Sequence, residues 1–268
     1  MYYNLKCFLC KNDVNFIIYL KTEGIKYVRC QNCGLIFRKN EFGKRDLKQY
    51  ENKKYFSAYI KNYKVFIEIF TDLLNTVEKY KKHGRILDIG CSIGLFLFLA
   101  KKRKWKEFGV EISIFASNFA KNRLKLNVMN SDNLDDFPNN YFDVIVLNHV
   151  LEHIENPISI LKQIYKKLES NGILMIGVPN INGLFPRFQK GKWPSIKPHE
   201  HYNQFTPKTL KLLLNKSFFK PIKFNTISRN FNYKFWPLNL ILNKIFNPIL
   251  ENLKLGEFML IIFKKTKK

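Results

Sequence analysis

The rhythm of apolar and polar positions changes twice along the chain. In the first 40 or so residues, short apolar runs such as NFIIYL and LIF stand between polar turns and read as short strands. Over about 44 to 80, Tyr59, Tyr63, Phe66, Ile67, Phe70, Leu73 and Leu74 recur at helical spacing. From Arg85 onward, compact apolar runs alternate with amphipathic stretches. The runs predict strands over Arg85–Ile89, Glu107–Glu111, Leu126–Met129, Phe142–Leu147, Gly172–Val178, Ile222–Ile227 and Phe258–Phe263. The stretches between predict helices near 94–103, 113–123, 157–169, 207–217 and 237–253. Alternation of this kind implies an α/β fold, a seven-stranded, mostly parallel sheet with helices on both faces. The last two strands are joined differently and are expected to pair antiparallel. Three units follow: 1–43, a small cysteine-bearing unit; 44–83, a helical linker; and 84–268, the α/β domain.

Composition narrows the class. Hydrophobic residues make up 46% of the chain and aromatics 15%, enough for a packed core and too much for a disordered chain. No apolar run approaches the roughly 18 residues of a membrane span. The start, MYYNLKCFLCKND, has no apolar leader segment, so a cytoplasmic location with reduced thiols is expected. The net charge is +25, from 46 Lys+Arg against 21 Asp+Glu. Lysines recur throughout (Lys81-Lys82, Lys101-Lys102, Lys166-Lys167, Lys264-Lys265) instead of forming one stripe, which reads first as solvated surface and only second as a nucleic-acid footprint.

Four of the five cysteines lie in the first unit, as Cys7-x-x-Cys10 and Cys30-x-x-Cys33 with 19 residues between the pairs. Two short knuckles of this kind, brought together by a hairpin, supply the four thiolates of a tetrahedral zinc ion. With four thiolates the shell is closed, so the zinc is expected to be structural. A ribbon this small buries little core, and the metal would supply most of its folding free energy.

The stretch ILDIGCSIGLFLFLAKKRKWKEFGVEIS poses a chemical question. The first strand ends in Asp88-Ile89-Gly90, a turn runs to Gly94, and the second strand ends in Glu111. Glycines at a strand-to-helix turn let a ligand approach the backbone. A carboxylate beside that turn disfavours a pyrophosphate and favours a cation. An acid at the end of the second strand is where ribose hydroxyls are held in nucleotide-binding sheets. A ribose diol, no phosphate and a positively charged amino-acid end together describe S-adenosylmethionine.

On these residues the chain resembles the class I S-adenosylmethionine-dependent methyltransferases. LDIGCSIGLFL resembles their first motif, with Ser92 where a glycine is usual. YFDVIVLNHVLEHIENP, NGILMIGVPNING and EFMLIIFKK resemble the fourth-strand, fifth-strand and closing-strand segments. The resemblance implies a Rossmann-like fold. Carried over, it implies that Asp88, Gly90, Cys91 and Gly94 surround the methionine part of the cofactor. It further implies that Glu111 binds the ribose, that Ser131 and Asp132 lie near the adenine, and that Asn148 and His149 face the transfer site.

Methyl transfer needs a base only when the acceptor is a hydroxyl, an acidic carbon or a protonated amine. Of five histidines, His149 and His153 flank Val150-Leu151-Glu152 after the fourth strand, and His153 reads as a side chain that fixes the loop. His199, Glu200 and His201 crowd the polar loop KPHEHYNQFT after the fifth strand. That loop resembles the substrate-side motif of sugar C-methyltransferases that carry an N-terminal four-cysteine zinc domain, with Pro198 in place of a tyrosine. By that resemblance His201 is the candidate base and His199 and Glu200 its helpers. A metal on this triple is a weaker alternative.

The expected activity is methylation of a small acceptor, a sugar, nucleotide sugar or surface glycan or lipid precursor, at oxygen or carbon. The alternative is an RNA methyltransferase that uses the ribbon and the basic surface. Residues 231–253, rich in Trp, Phe, Leu and Ile with interspersed lysines, read as a helical cap over the site or as a peripheral membrane contact.

Overall fold

The computed structural model describes residues 3–11, 13–39, 50, 53–228 and 242–266. The N-terminal unit is an antiparallel sheet of β1 (Tyr3–Lys6), β2 (Asp13–Thr22), β3 (Ile25–Cys30) and β4 (Ile36–Arg38). The knuckles that carry the cysteines precede β2 and follow β3. The helical segment is two helices, α1 (Lys53–Lys61) and α2 (Tyr63–Glu78), broken at Asn62 (φ −107°, ψ 27°).

The α/β domain alternates as its apolar rhythm predicts. β5 (Arg85–Ile89), α3 (Leu95–Lys102), β6 (Lys106–Glu111), α4 (Ile114–Arg123), β7 (Val128–Asn130) and β8 (Phe142–Asn148) follow one another. After them come α5 (Pro157–Lys167), β9 (Leu168–Pro179), α6 (Leu184–Gln189), β10 (Asn203–Gln204), α7 (Pro207–Lys216) and β11 (Phe219–Ile227). The chain closes with α8 (Asn247–Asn252) and β12 (Phe258–Lys265). The main sheet has the order β11-β12-β9-β8-β5-β6-β7. β9, β8, β5, β6 and β7 run parallel, and β12 enters antiparallel between β9 and β11.

Local chemistry explains the boundaries. Thr206 caps α7 in a reciprocal box with Thr209, and Pro207 supplies the first helical residue without wasting an N–H. At α5, Asn156 Oδ1 accepts from the N–H of Ile158 and Pro157 is the first helical residue. β9 begins earlier than its apolar run, at Leu168, because that residue already takes extended angles (φ −74°, ψ 135°) and is fully buried. The strands at the sheet's centre are buried on both faces, as parallel strands covered by helices must be.

The ribbon shares its architecture with the main domain. β10, from the α/β domain, pairs antiparallel with β4 and completes a five-stranded sheet. Cys7, Leu9, Phe16, Val28 and Leu35 pack in one apolar cluster with Leu87, Ile145, Leu174 and Leu213 of the large domain. Much of the 231–253 segment lies outside the described residues. Its described end, Leu242–Phe246 and α8, leaves Ile245 and Ile249 exposed and buries Asn247 and Leu250. No helix among the described residues is long and apolar enough to cross a membrane.

Candidate active site

The carboxyl ends of β5, β6 and β8 converge on one cleft, lined by Asp88, Gly90, Cys91, Ser92, Phe96 and Asn148 and roofed by Tyr59 of α1 and Phe70 of α2. Three successive glycine-like angles make the turn after β5: Gly90 (φ +72°), Ser92 (φ +53°) and Gly94 (φ +83°). Ser92 takes the left-handed region although it has a side chain, a conformation that costs about 1–2 kcal/mol. Its N–H donates to Glu111 Oε2 at 2.8 Å, which offsets part of that cost. Glu111 Oε1 accepts from the N–H of Ser113 at 2.9 Å, and Ser113 in turn caps α4 through Ala116 N. Both Gly90 and Gly94 are also needed for space. A Cβ on Gly90 would meet Val150 Cγ2 at 2.6 Å, and one on Gly94 would meet Leu126 Cδ1 at 2.6 Å.

Asp88 and Glu111 are 5% and 7% exposed. Burial first, and the neighbouring Glu111 charge second, push the Asp88 carboxyl well above its ordinary value. Two acidic side chains buried beside one cleft make a site suited to a cation, which favours their charged forms. Glu111 offers about four lone-pair positions, enough to hold two backbone N–H groups and a ligand diol together. These residues fit S-adenosylmethionine: an acid for its ammonium, an acid for its ribose, and small-residue backbone between them. Cys91 is buried, and burial raises its thiol well above the usual range, so it is a packed residue. Asn148 lies at the mouth of the cleft, across from Gly177, whose missing side chain makes room for it. Ser131 follows β7, with its N–H on Glu111 O at 3.2 Å, and Asp132 beside it is exposed.

The histidines sort themselves into an inner and an outer set. His149, at the end of β8, is held at φ +57°; its side chain is 44% exposed and its Nδ1 lies 3.2 Å from Glu152 Oε1. His201 turns inward. It is 3% exposed and its ring stands edge-on to His153, centroids 4.5 Å apart. Burial lowers its imidazole to about 4, so it is neutral near pH 7. Burial alone would raise the Glu152 carboxyl, but the hydrogen bond and charge of His149, with the other two histidines, outweigh it and hold the group at about 2. His199 turns outward, 3.2 Å from Glu23 on the exposed surface, and Glu200 pairs with Lys197 at 3.3 Å. The sequence triple is therefore divided: only its last member joins the inner cluster with Glu152, His153 and His149.

Some residues carried no sign in the sequence that they belong to the site. Tyr59 sits where burial and then the charges of Glu111 and Asp88, with those of Glu200 and Glu152 behind them, raise its phenol above the ordinary value. It also lines the cleft. Tyr27 of the ribbon donates to His201 O at 2.7 Å, and Arg38 lies over the Tyr202 ring at 4.0 Å. Such long-range partners leave no mark in local patterning.

The four knuckle sulfurs lie within 4.8 Å of one another, with Cys7–Cys33 at 3.6 Å and Cys10–Cys30 at 3.7 Å. Four sulfurs each about 2.3 Å from a tetrahedral zinc stand roughly 3.8 Å apart, so the residues fit that ion. These separations are too long for disulfides, and all four thiols are free.

The comparisons agree with this geometry. A methyltransferase-domain family model matches residues 61–223, more than half of the chain. An uncharacterized protein of Methanocaldococcus jannaschii is 29% identical over 151 residues, covering 55% of this chain and 71% of that protein. A tRNA U34 carboxymethyltransferase of Campylobacter hominis is 30% identical over 125 residues, covering 42% of this chain and 44% of that enzyme. The crystal structure of a SAM-dependent methyltransferase from Archaeoglobus fulgidus aligns with TM-score 0.56 and 25% identity, covering 76% of this chain and all of that one. The chain belongs to the methyltransferase-domain family and is an S-adenosylmethionine-dependent methyltransferase.

Proposed function

We propose that this enzyme methylates a hydroxyl group of a small sugar-bearing acceptor, such as a sugar or nucleotide sugar. The observation that carries the reading is the His149–Glu152 pair. An imidazole with nearly half its side chain exposed, fixed through Nδ1 by a buried carboxylate, leaves Nε2 to take a proton from an acceptor at the mouth of the cleft. When bound, the cofactor supplies a methyl group already activated on a sulfonium. The protein's part is to hold, align and exclude water. In this reading Asp88 takes the cofactor's ammonium and Glu111 its ribose hydroxyls. Gly90, Cys91 and Gly94 line the path of its methionine part, Asn148 orients the transfer site, and Ser131 and Asp132 border the adenine. His201 supports the site from behind, and His199 and Glu200 lie on the acceptor's route in. The four cysteines hold a structural zinc.

A second reading, an RNA acceptor, is favoured by the tRNA-modifying relatives and by the +25 charge. One experiment separates the two. Purified enzyme with radiolabelled S-adenosylmethionine is offered a panel of nucleotide sugars and bulk tRNA. Label on the sugars supports the first reading. Label on tRNA, lost steeply as salt rises, overturns it in favour of the second.

A further inference from the structure

We infer that Glu152, His153 and His201 form a second metal site, one that binds a divalent transition cation through two imidazoles and one carboxylate. Each of the three offers a ligand atom, and these atoms lie within 4.8 Å of one another. Glu152 is 1% exposed and His201 3% exposed. Glu152 Oε1 is engaged by His149, while Glu152 Oε2 and His201 Nδ1 are buried and have no hydrogen-bond partner among the described residues. Buried polar atoms almost always find partners, so two orphans within one compact cluster of ligand-type side chains point to a group that belongs there. A water could fill a neutral gap of this kind. A carboxylate oxygen facing imidazole nitrogens is better matched by a cation.

The cluster is built, not incidental. Its two halves come from the turn after β8 and the loop before β10, more than forty residues apart, and backbone bonds sew them together. Tyr202 N donates to Glu152 O at 2.8 Å, and Asn203 Nδ2 donates to Ile154 O at 2.7 Å. Tyr27 reaches from the ribbon to hold His201 O. The donor set differs in kind from the four thiolates of the knuckles. Nitrogen and oxygen donors suit Zn(II), Fe(II), Co(II) or Mn(II), and three protein ligands leave positions open that a closed four-sulfur shell lacks. An ion with bonds near 2.1 Å would draw the donors in to roughly 3.4 Å, a small side-chain adjustment.

The inference concerns ion binding and holds whichever acceptor the enzyme uses. To test it, the zinc-loaded full chain is titrated with Co(II). The knuckles keep their zinc, and any cobalt entering them would announce itself by a thiolate charge-transfer band. The expected result is one further equivalent of cobalt, with d–d absorbance alone and paramagnetically shifted imidazole proton signals. Glu152→Gln and His201→Ala should weaken uptake by at least about tenfold, the smallest loss typical even of changes behind the ligands. Should either variant fail to fold by circular dichroism, the titration of the unaltered chain decides. Uptake of no cobalt at millimolar concentration, or uptake only with the thiolate band, overturns the site, as does undiminished binding by folded variants.

Discussion

The N–H of Ser92 and the carboxylate of Glu111 meet at 2.8 Å, so the end of the second parallel strand holds the turn that follows the first. The same carboxylate holds Ser113, whose hydroxyl starts α4. One side chain thus fixes both the turn after β5 and the start of α4. Glu111→Ala is expected to weaken binding of S-adenosylhomocysteine by about 1–3 kcal/mol, the range for lost bonds to a charged group. Calorimetry measures it directly; affinity equal to the unaltered enzyme's would remove the ribose role. Glu111→Gln, which keeps one acceptor oxygen, should fall between the two.

Asp88 makes the opposite kind of contribution to stability. Its folded-state value lies above the ordinary 3.8, raised by burial and then by Glu111. A group with a raised value contributes stability that is complete below its unfolded value and is lost as pH rises through its folded one. Asp88 therefore costs the empty protein stability near neutral pH. Asp88→Asn should melt higher than the unaltered chain near pH 8, and the difference should shrink as pH falls toward 4, while cofactor affinity drops. Melting curves across that range check the first part, and a variant less stable at every pH would contradict it.

The same two acids show what the sequence could say. Their spacing around a glycine turn, at the ends of two apolar runs, was enough to place the cleft, because parallel-strand periodicity and turn chemistry are local. The seven-stranded, mostly parallel sheet followed from the alternation of apolar runs and amphipathic stretches, whereas the order of its strands emerges only in the folded structure. The fate of HEH was not legible. Whether His199 or His201 faces inward depends on Tyr27, Arg38 and the β4–β10 pairing, contacts that bridge 160 residues or more. The N-terminal unit likewise read as separate, since nothing local announces that β10 will complete its sheet. Glu152 could not be singled out locally because its surroundings, three histidines, are brought to it by the fold.

That shared sheet would make a zinc ion on the four knuckle cysteines consequential for catalysis. Removing it by Cys33→Ser should unfold the knuckles, since metal binding supplies most of such a unit's folding energy. β10 would lose β4, and His201 would lose the Tyr27 bond. The expected outcome is loss of most activity with the main sheet intact. Hydrogen exchange should show lost protection at 198–204 and retained protection over β5, β6 and β8. Full activity in a zinc-free variant would refute the coupling.

The final prediction separates the histidines by exposure. His149 offers a reachable nitrogen and is steadied by Glu152, whereas His201 is buried and neutral. His149→Ala should therefore lower kcat by roughly 10²–10⁴-fold, the usual contribution of a general base, while leaving affinity for S-adenosylhomocysteine unchanged. The folded main chain there already occupies φ +57°, so His149→Gly is the cleaner control: it removes the base and relieves the backbone. It should be equally slow and at least as stable as the alanine variant. His201→Ala removes a buried ring packed on His153 and should show its effect first as a lower melting temperature. If His201→Ala were as slow as His149→Ala with no loss of stability, and His149→Ala retained normal turnover, the assignment of the base would move to His201.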